Sequence, residues 1–144
     1  MKFGMNLLLW SGELNDDRVP VLESLKSMGY DGVEVPIFNL DLDYAAWGKR
    51  LSDMGLDCTA VTVRTEEDNP ISPDAAVRQK GVDATKKTLD CCAAIGATHL
   101  VGPYHSALGL FSGAGPTDDE WAWGVESMNA VAEHAGGVNV TLGV

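Results

Sequence analysis

Basic residues are scarce in this chain: Lys and Arg number 10 against 21 Asp and Glu, for a formal net charge of −11 at pH 7. A surface of that sign repels phosphate backbones and argues against a nucleic-acid partner. Long hydrophobic runs are missing as well. No uninterrupted apolar stretch approaches the ~20 residues that span a bilayer, so no membrane association is expected. The opening Met1–Trp10 segment has one positive charge and a short apolar run, but no small-residue cleavage site follows it. It reads as a buried strand rather than a signal peptide. Cysteine is limited to Cys58 and the adjacent pair Cys91 and Cys92. An odd count leaves one unpaired in any disulfide scheme, and no Cys-x-x-Cys or Cys/His spacing suggests zinc. Small buried hydrophobes in a reducing, cytoplasmic setting are the expectation. A Gly-x-Gly-x-x-Gly or phosphate loop is absent too, which weakens a nucleotide-binding reading.

What remains is ordinary globular material. With 144 residues, 45% hydrophobic and 22% charged, the chain has enough apolar surface for one domain, residues 1–144, with a real core. One pattern recurs: a helix-like stretch, a glycine, one or two polar residues, then an apolar β-prone run. It appears at Met28-Gly29-Tyr30-Asp31-Gly32-Val33-Glu34-Val35, at Met54-Gly55-Leu56-Asp57-Cys58-Thr59-Ala60-Val61 and at Ile95-Gly96-Ala97-Thr98-His99-Leu100-Val101-Gly102. A looser copy runs from Ala135-Gly136-Gly137 to Leu142. Each glycine stands where a helix ends on a left-handed residue.

The helices carry start signals of their own. Asp16 or Asp17 is placed to cap the first, with Pro20 in its opening turn, and Ser72-Pro73 is placed to begin the third. Thr117 and Glu120 have capping-box spacing before the fourth. Tyr44, Trp47, Leu51 and Met54 form an apolar stripe, as do Val82, Thr85, Leu89, Cys92 and Ile95, and then Trp121, Val125, Met128, Ala132 and Ala135. Strands alternating with helices give a parallel sheet. Five strands and four helices suit a doubly wound, flavodoxin-like sheet, or equally the (β/α)4 front half of a TIM barrel plus a fifth strand. The chain reaches Val144 at the end of an apolar strand with no helix after it, and so reads as truncated there.

Several segments resemble the sugar isomerase/epimerase family with xylose-isomerase-like barrels, in particular ketose 3-epimerases of the tagatose/psicose type. They are Gly4-Met5-Asn6-Leu7-Leu8-Leu9-Trp10, Gly32-Val33-Glu34-Val35-Pro36, Leu100-Val101-Gly102-Pro103-Tyr104-His105-Ser106-Ala107-Leu108-Gly109, Glu120-Trp121, and Val140-Thr141-Leu142-Gly143-Val144. The resemblance covers essentially the whole chain and implies the N-terminal half of a TIM barrel. It also implies a divalent metal, Mn²⁺, Mg²⁺ or Co²⁺, held by two Glu, an Asp and a His on later strands, two of the carboxylates serving as acid and base. None of those four ligands is in this sequence, so no catalytic residue, metal ligand or cofactor is assigned to the chain itself, and it is expected to be inactive alone.

The family's sugar-binding wall matches Trp10, an aromatic at the end of the first strand, and Gly102, a close-approach glycine on the fourth. At the third strand the match fails, because Val61-Thr62 replaces a glycine-aromatic pair. Glu34, inside an apolar strand, needs a partner, expected to be Arg64 or a neighbouring amide, with a substrate contact as its other reading. His105, after the fourth strand, is the best ligand-contact candidate of the three histidines. His99 and His134 read as structural, the latter suited to a helix C-terminus. The alternative to an epimerase half is a non-catalytic half-barrel acting in self-association or partner binding. Leu7, Leu9, Val33, Val35, Ala60, Thr62, Leu100, Gly102 and Leu142 give the strands an apolar character, and an open inner sheet face predicts a homodimer.

Overall fold

The computed structural model describes residues 1–144. Five short strands, β1 (Gly4–Asn6), β2 (Gly32–Pro36), β3 (Asp57–Val61), β4 (His99–Val101) and β5 (Thr141–Gly143), alternate with four helices, α1 (Val19–Ser27), α2 (Tyr44–Asp53), α3 (Ala75–Ile95) and α4 (Asp118–Val138). All neighbouring strands pair in parallel, and their spatial order is their chain order, β1-β2-β3-β4-β5. A doubly wound sheet reverses its order at a switch point. This sheet has no reversal, so the flavodoxin-like alternative falls and the barrel-type architecture stands.

Helix ends follow the glycines at three of the four places anticipated. Gly29, Gly55 and Gly96 have φ of 92°, 70° and 82°, each just beyond the end of a helix. The fourth differs. Helix α4 runs through Gly136 and Gly137, and Asn139 takes the left-handed position at φ 58°, a conformation Asn tolerates better than most residues. The starts also shift. Asp74, not Ser72, caps α3, its carboxylate accepting from the Ala76 amide at 2.8 Å. Asp16 does not cap α1 but lies in a 3-10 turn, and its carboxylate pairs with Arg50 at 2.6 Å. The Thr117–Glu120 capping box forms as the spacing implied.

The core lies on the helical side of the sheet. Val33, Val35, Cys58, Ala60 and Leu100 alternate outward from the strands and pack with Leu22, Leu25, Trp47, Leu51, Val82, Leu89, Cys92 and Val131. The expected inward row of α3 is buried throughout. In α4 only Ala135 of the expected row is buried, joined by Ser127 and Val131, while Met128 is half-buried and Trp121, Val125 and Ala132 are exposed. Ser127 is tolerated there because its hydroxyl donates to the Pro70 carbonyl at 2.9 Å. No helix is long and apolar enough to cross a membrane.

Candidate functional site

Strand alternation decides what faces inward. The register places Asn6, Glu34, Thr59, His99 and Thr141 side by side across the sheet, one residue out of step with the buried apolar row. The face opposite the helices is therefore polar along its middle, and the apolar strand residues expected to open onto it, Val33, Val35, Ala60 and Leu100 among them, lie under the helices instead. Burying polar groups without partners is costly, and the row has an internal answer: the Asn6 amide donates to Glu34 Oε1 at 2.6 Å. Glu34 thus finds its partner in a neighbouring amide and not in Arg64.

Asn6 has a second task. Its side-chain oxygen accepts from the Leu8 amide at 2.7 Å, which closes a 3-10 turn over Leu7–Leu9. The first strand consequently stops after three residues. Of the following apolar residues only Leu7 is buried, and Trp10 is left 43% exposed just past the C-terminal end of β1. Partial burial raises the Glu34 carboxyl above the ordinary carboxylate range, with the Asn6 hydrogen bond pulling the other way. A raised carboxyl favours folding while protonated, and the benefit fades as pH climbs through its folded value. Glu34→Gln keeps an acceptor for Asn6 and removes the charge. It is expected to raise the melting temperature at neutral pH and to leave it unchanged below the carboxylate range, as thermal melts at the two conditions will read.

At the C-terminal ends of the middle strands a second network takes over. Arg64, 6% exposed, donates from Nη1 to Asp68 at 3.0 Å and from Nη2 to the Thr62 hydroxyl at 2.8 Å. That hydroxyl donates on to the Ile37 carbonyl at 3.0 Å. Asp68 also accepts from the Thr65 amide and hydroxyl. Burial lowers the guanidinium's affinity for its proton, and the Asp68 charge offsets this. The network bridges to the next loop, where the Leu108 amide donates to the Arg64 carbonyl at 2.8 Å and the Ala107 amide to Asn69 Oδ1 at 3.1 Å. Of the two partners open to Glu34, the amide is the one it takes, and Arg64 pairs with Asp68 instead. The signal available was local: Asp68 stands four residues on and completes a Thr65–Asp68 capping box on the short 3-10 turn Glu66–Asp68.

Gly102 follows β4 at φ 122°, and a Cβ there would lie 2.3 Å from the Thr62 carbonyl oxygen. It is a close-approach glycine, the approach being that of β3. Tyr104 is wholly buried, its hydroxyl has no partner, and burial with Cys92 nearby pushes its pKa up to about 12. It is a core residue. Burial likewise holds the Cys58 and Cys92 thiols at about 12, and all three cysteines are free. His105 is exposed in the loop after Gly102. His134 meets Asp90 of α3 at 2.7 Å instead of serving its own helix end.

Two concavities frame these residues. One of about 1110 Å³ is lined by Asn6, Glu34, Thr59 and His99 together with Gly4, Gly32, Asp57 and other residues at the N-terminal ends of the strands. Barrel chemistry belongs to the opposite end, where Trp10, Arg64 and Gly102 lie. The other, about 780 Å³, is lined by His105, Leu110 and Phe111 of the β4–α4 loop and by Ile71, Trp121, Val125 and Met128. Of the four substrate-binding candidates, Glu34 thus belongs to the inner face, His105 to the α4 groove, and Trp10 and Gly102 to neither cavity. The helical side of the groove, Trp121, Val125 and Met128, carries a sequence period, whereas its loop side, Leu110 and Phe111, follows none.

Comparison with known proteins gives these positions a context. Residues 22–144 match the family described as Xylose isomerase-like TIM barrel. The chain is 28% identical over 144 residues to the L-ribulose 3-epimerase of Mesorhizobium japonicum, covering 98% of this chain and 48% of that protein. It is 28% identical over 147 residues to the D-psicose 3-epimerase of Agrobacterium fabrum, covering 99% and 51%. A solved structure of L-ribulose 3-epimerase superposes with a TM-score of 0.88 at 26% identity, over 99% of this chain and 48% of that one. The chain spans about half the length of the curated relatives it matches.

Proposed function

The chain belongs to the xylose isomerase-like TIM barrel family, and from that premise we propose that it forms the N-terminal, sugar-facing wall of a ketose 3-epimerase-type site. The observation that carries this reading is the match of nearly the whole chain to two ketose 3-epimerases. The residues suit the role. Trp10 offers a half-exposed ring for stacking on a sugar's apolar face, Gly102 keeps the strand end free of side chain, and Glu34, deeper on the inner sheet face, holds the Asn6 side chain that turns the chain toward Trp10. His105 stands beyond them in the loop after β4.

The chemistry itself is a different matter. Exchange of a proton at a ketose carbon needs a base within hydrogen-bond reach and stabilisation of the enediolate. The divalent ion that the family resemblance implies does not fit the residues present: no three His, Cys, Asp or Glu side chains converge as a metal-holding group. No step on this chain runs through a metal, and we assign it recognition without turnover.

NMR titration of the 144-residue chain with D-psicose, D-tagatose and L-ribulose is the test. Half a pocket buries little of its ligand, so the expected Kd is about millimolar or weaker, with Trp10→Ala removing the shifts. Micromolar affinity, or Mn²⁺-dependent epimerisation of D-fructose by the purified chain, would overturn the reading. A non-catalytic half-barrel that associates with a partner is the second reading, favoured by the apolar groove at α4.

A further inference from the structure

Trp10 is carried by a turn, and the turn is set from the neighbouring strand. Asn6 and Glu34 stand directly opposite each other in the β1–β2 register, and Asn6 Nδ2 donates to Glu34 Oε1 at 2.6 Å. An ionised carboxylate offers only acceptors, so it must face the NH2 end of the amide. The Asn6 oxygen is thereby left on the other side, where it accepts from the Leu8 amide at 2.7 Å. That bond caps the 3-10 turn Leu7–Leu9. The Leu7 carbonyl then accepts from the Trp10 and Ser11 amides at 2.9 and 3.0 Å. Beyond the ring the chain is pinned again. A Cβ on Gly12 would touch the Phe38 ring at 3.4 Å, and Glu13 accepts from the Asn39 side-chain amide at 2.6 Å. Both pins come from β2 and the loop after it.

We propose that Asn6, oriented by Glu34, is a positioning residue for the Trp10 ring. The inference deepens the sugar-wall reading and rests on it for the ligand, a ketose stacked on Trp10. The competing conformation is a longer first strand. Leu7–Leu9 has strand composition, and β2 runs two residues past Glu34 with no partner from β1. A strand advances ~3.3 Å per residue, against ~2.0 Å in a 3-10 turn. Continuing β1 over those three residues would carry Trp10 about 4 Å further along the strand direction. Apolar contact requires heavy atoms within ~4.0–4.5 Å, so a displacement of that size ends the stacking. Leu8 and Leu9 are both exposed and add little packing to hold the turn. The Asn6 amide holds it instead.

The test is fluorine NMR of the intact chain labelled with fluorotryptophan, with D-psicose as the ligand. The four tryptophans give four signals, and Trp10→Phe identifies the one in question. Asn6→Ala and Glu34→Leu are each expected to shift the Trp10 signal in the sugar-free chain while buried Trp47 stays unmoved. Each is also expected to weaken D-psicose binding by roughly threefold or more. Glu34→Gln, which still accepts from Asn6, is expected to keep both the signal and the binding. So is Asn6→Asp combined with Glu34→Gln, in which the amide and the acid trade places. There Gln donates to the new carboxylate, whose other oxygen still accepts from Leu8. A Trp10 signal indifferent to Asn6→Ala and Glu34→Leu overturns the proposal. So does loss of the native signal in the exchanged pair, or Trp47 moving along with Trp10, which would make the pair general support for the fold. Absence of D-psicose binding by the wild-type chain would overturn the sugar wall alone, the sugar-free Trp10 signal still deciding what Asn6 does.

Discussion

Asp68→Ala is expected to cost about 3–5 kcal/mol of folding stability, the usual penalty for stranding one member of a buried ion pair. Arg64 is buried, its Nε already lacks a partner, and Asp68 is the only carboxylate paired with it. Removing that carboxylate leaves a guanidinium with one hydroxyl for company. It also opens the capping box at Thr65, because the same side chain accepts from the Thr65 amide. Against a typical domain stability of about 5–15 kcal/mol, the loss is large enough to read from urea midpoints at 25 °C. Arg64→Met is expected to cost less, since the carboxylate left behind still has Thr65 and lies nearer to water. A deficit for Asp68→Ala below about 1 kcal/mol would mean that water reaches Arg64.

Gly102→Ala is the second large effect, expected at about 3 kcal/mol or more. Two penalties coincide at this residue. An L side chain is strained at φ 122°, and its first carbon would lie 2.3 Å from the Thr62 carbonyl oxygen, a backbone atom that cannot swing aside. Relief requires β3 and β4 to part at their tops, which breaks the Thr62 amide's 3.1 Å bond to the Val101 carbonyl. Gly137→Ala supplies the contrast. That residue is helical, nothing lies within 4 Å of the added carbon, and a gain of roughly 0.5–1 kcal/mol is expected from helix propensity alone. Denaturation of the two variants side by side separates a glycine the fold requires from one it merely carries.

Periodicity and punctuation made most of this architecture readable beforehand. Gly29, Gly55 and Gly96 marked helix ends, and the α3 row from Val82 to Ile95 marked a buried face, because both signals are local. Elsewhere a side chain's bond to backbone, near or far in sequence, overrode the apolar pattern. Leu7–Leu9 has strand composition, yet Asn6 captures the Leu8 amide and turns the chain. Ser127 looks like a surface residue, but its hydroxyl finds the Pro70 carbonyl, and the bulkier Trp121 and Val125 are displaced to the flank. Gly136-Gly137 resembles a stop, and Asn139 takes over because the helix has two more residues to pack. The wall candidates Trp10 and Gly102 were visible as residue types at strand ends. The Arg64–Asp68 pair had its local i, i+4 cue, but the Thr62 hydroxyl's bond to the Ile37 carbonyl had none, since only the fold brings those two strand ends together.

The strictly sequential order of the five strands bears on how this chain reaches its native state. No strand waits for a distant segment, because each one docks beside the strand just before it in the chain. Loop closure therefore never exceeds the span of one strand–helix–strand unit, and its entropic cost grows only slowly with that span. Folding on such a layout resembles a zipper that starts wherever one unit first holds, as in repeat arrays. The five-residue ladder between β2 and β3 is the longest in the sheet and is the natural starting point, while the three-residue strands β1 and β5 close last and open first.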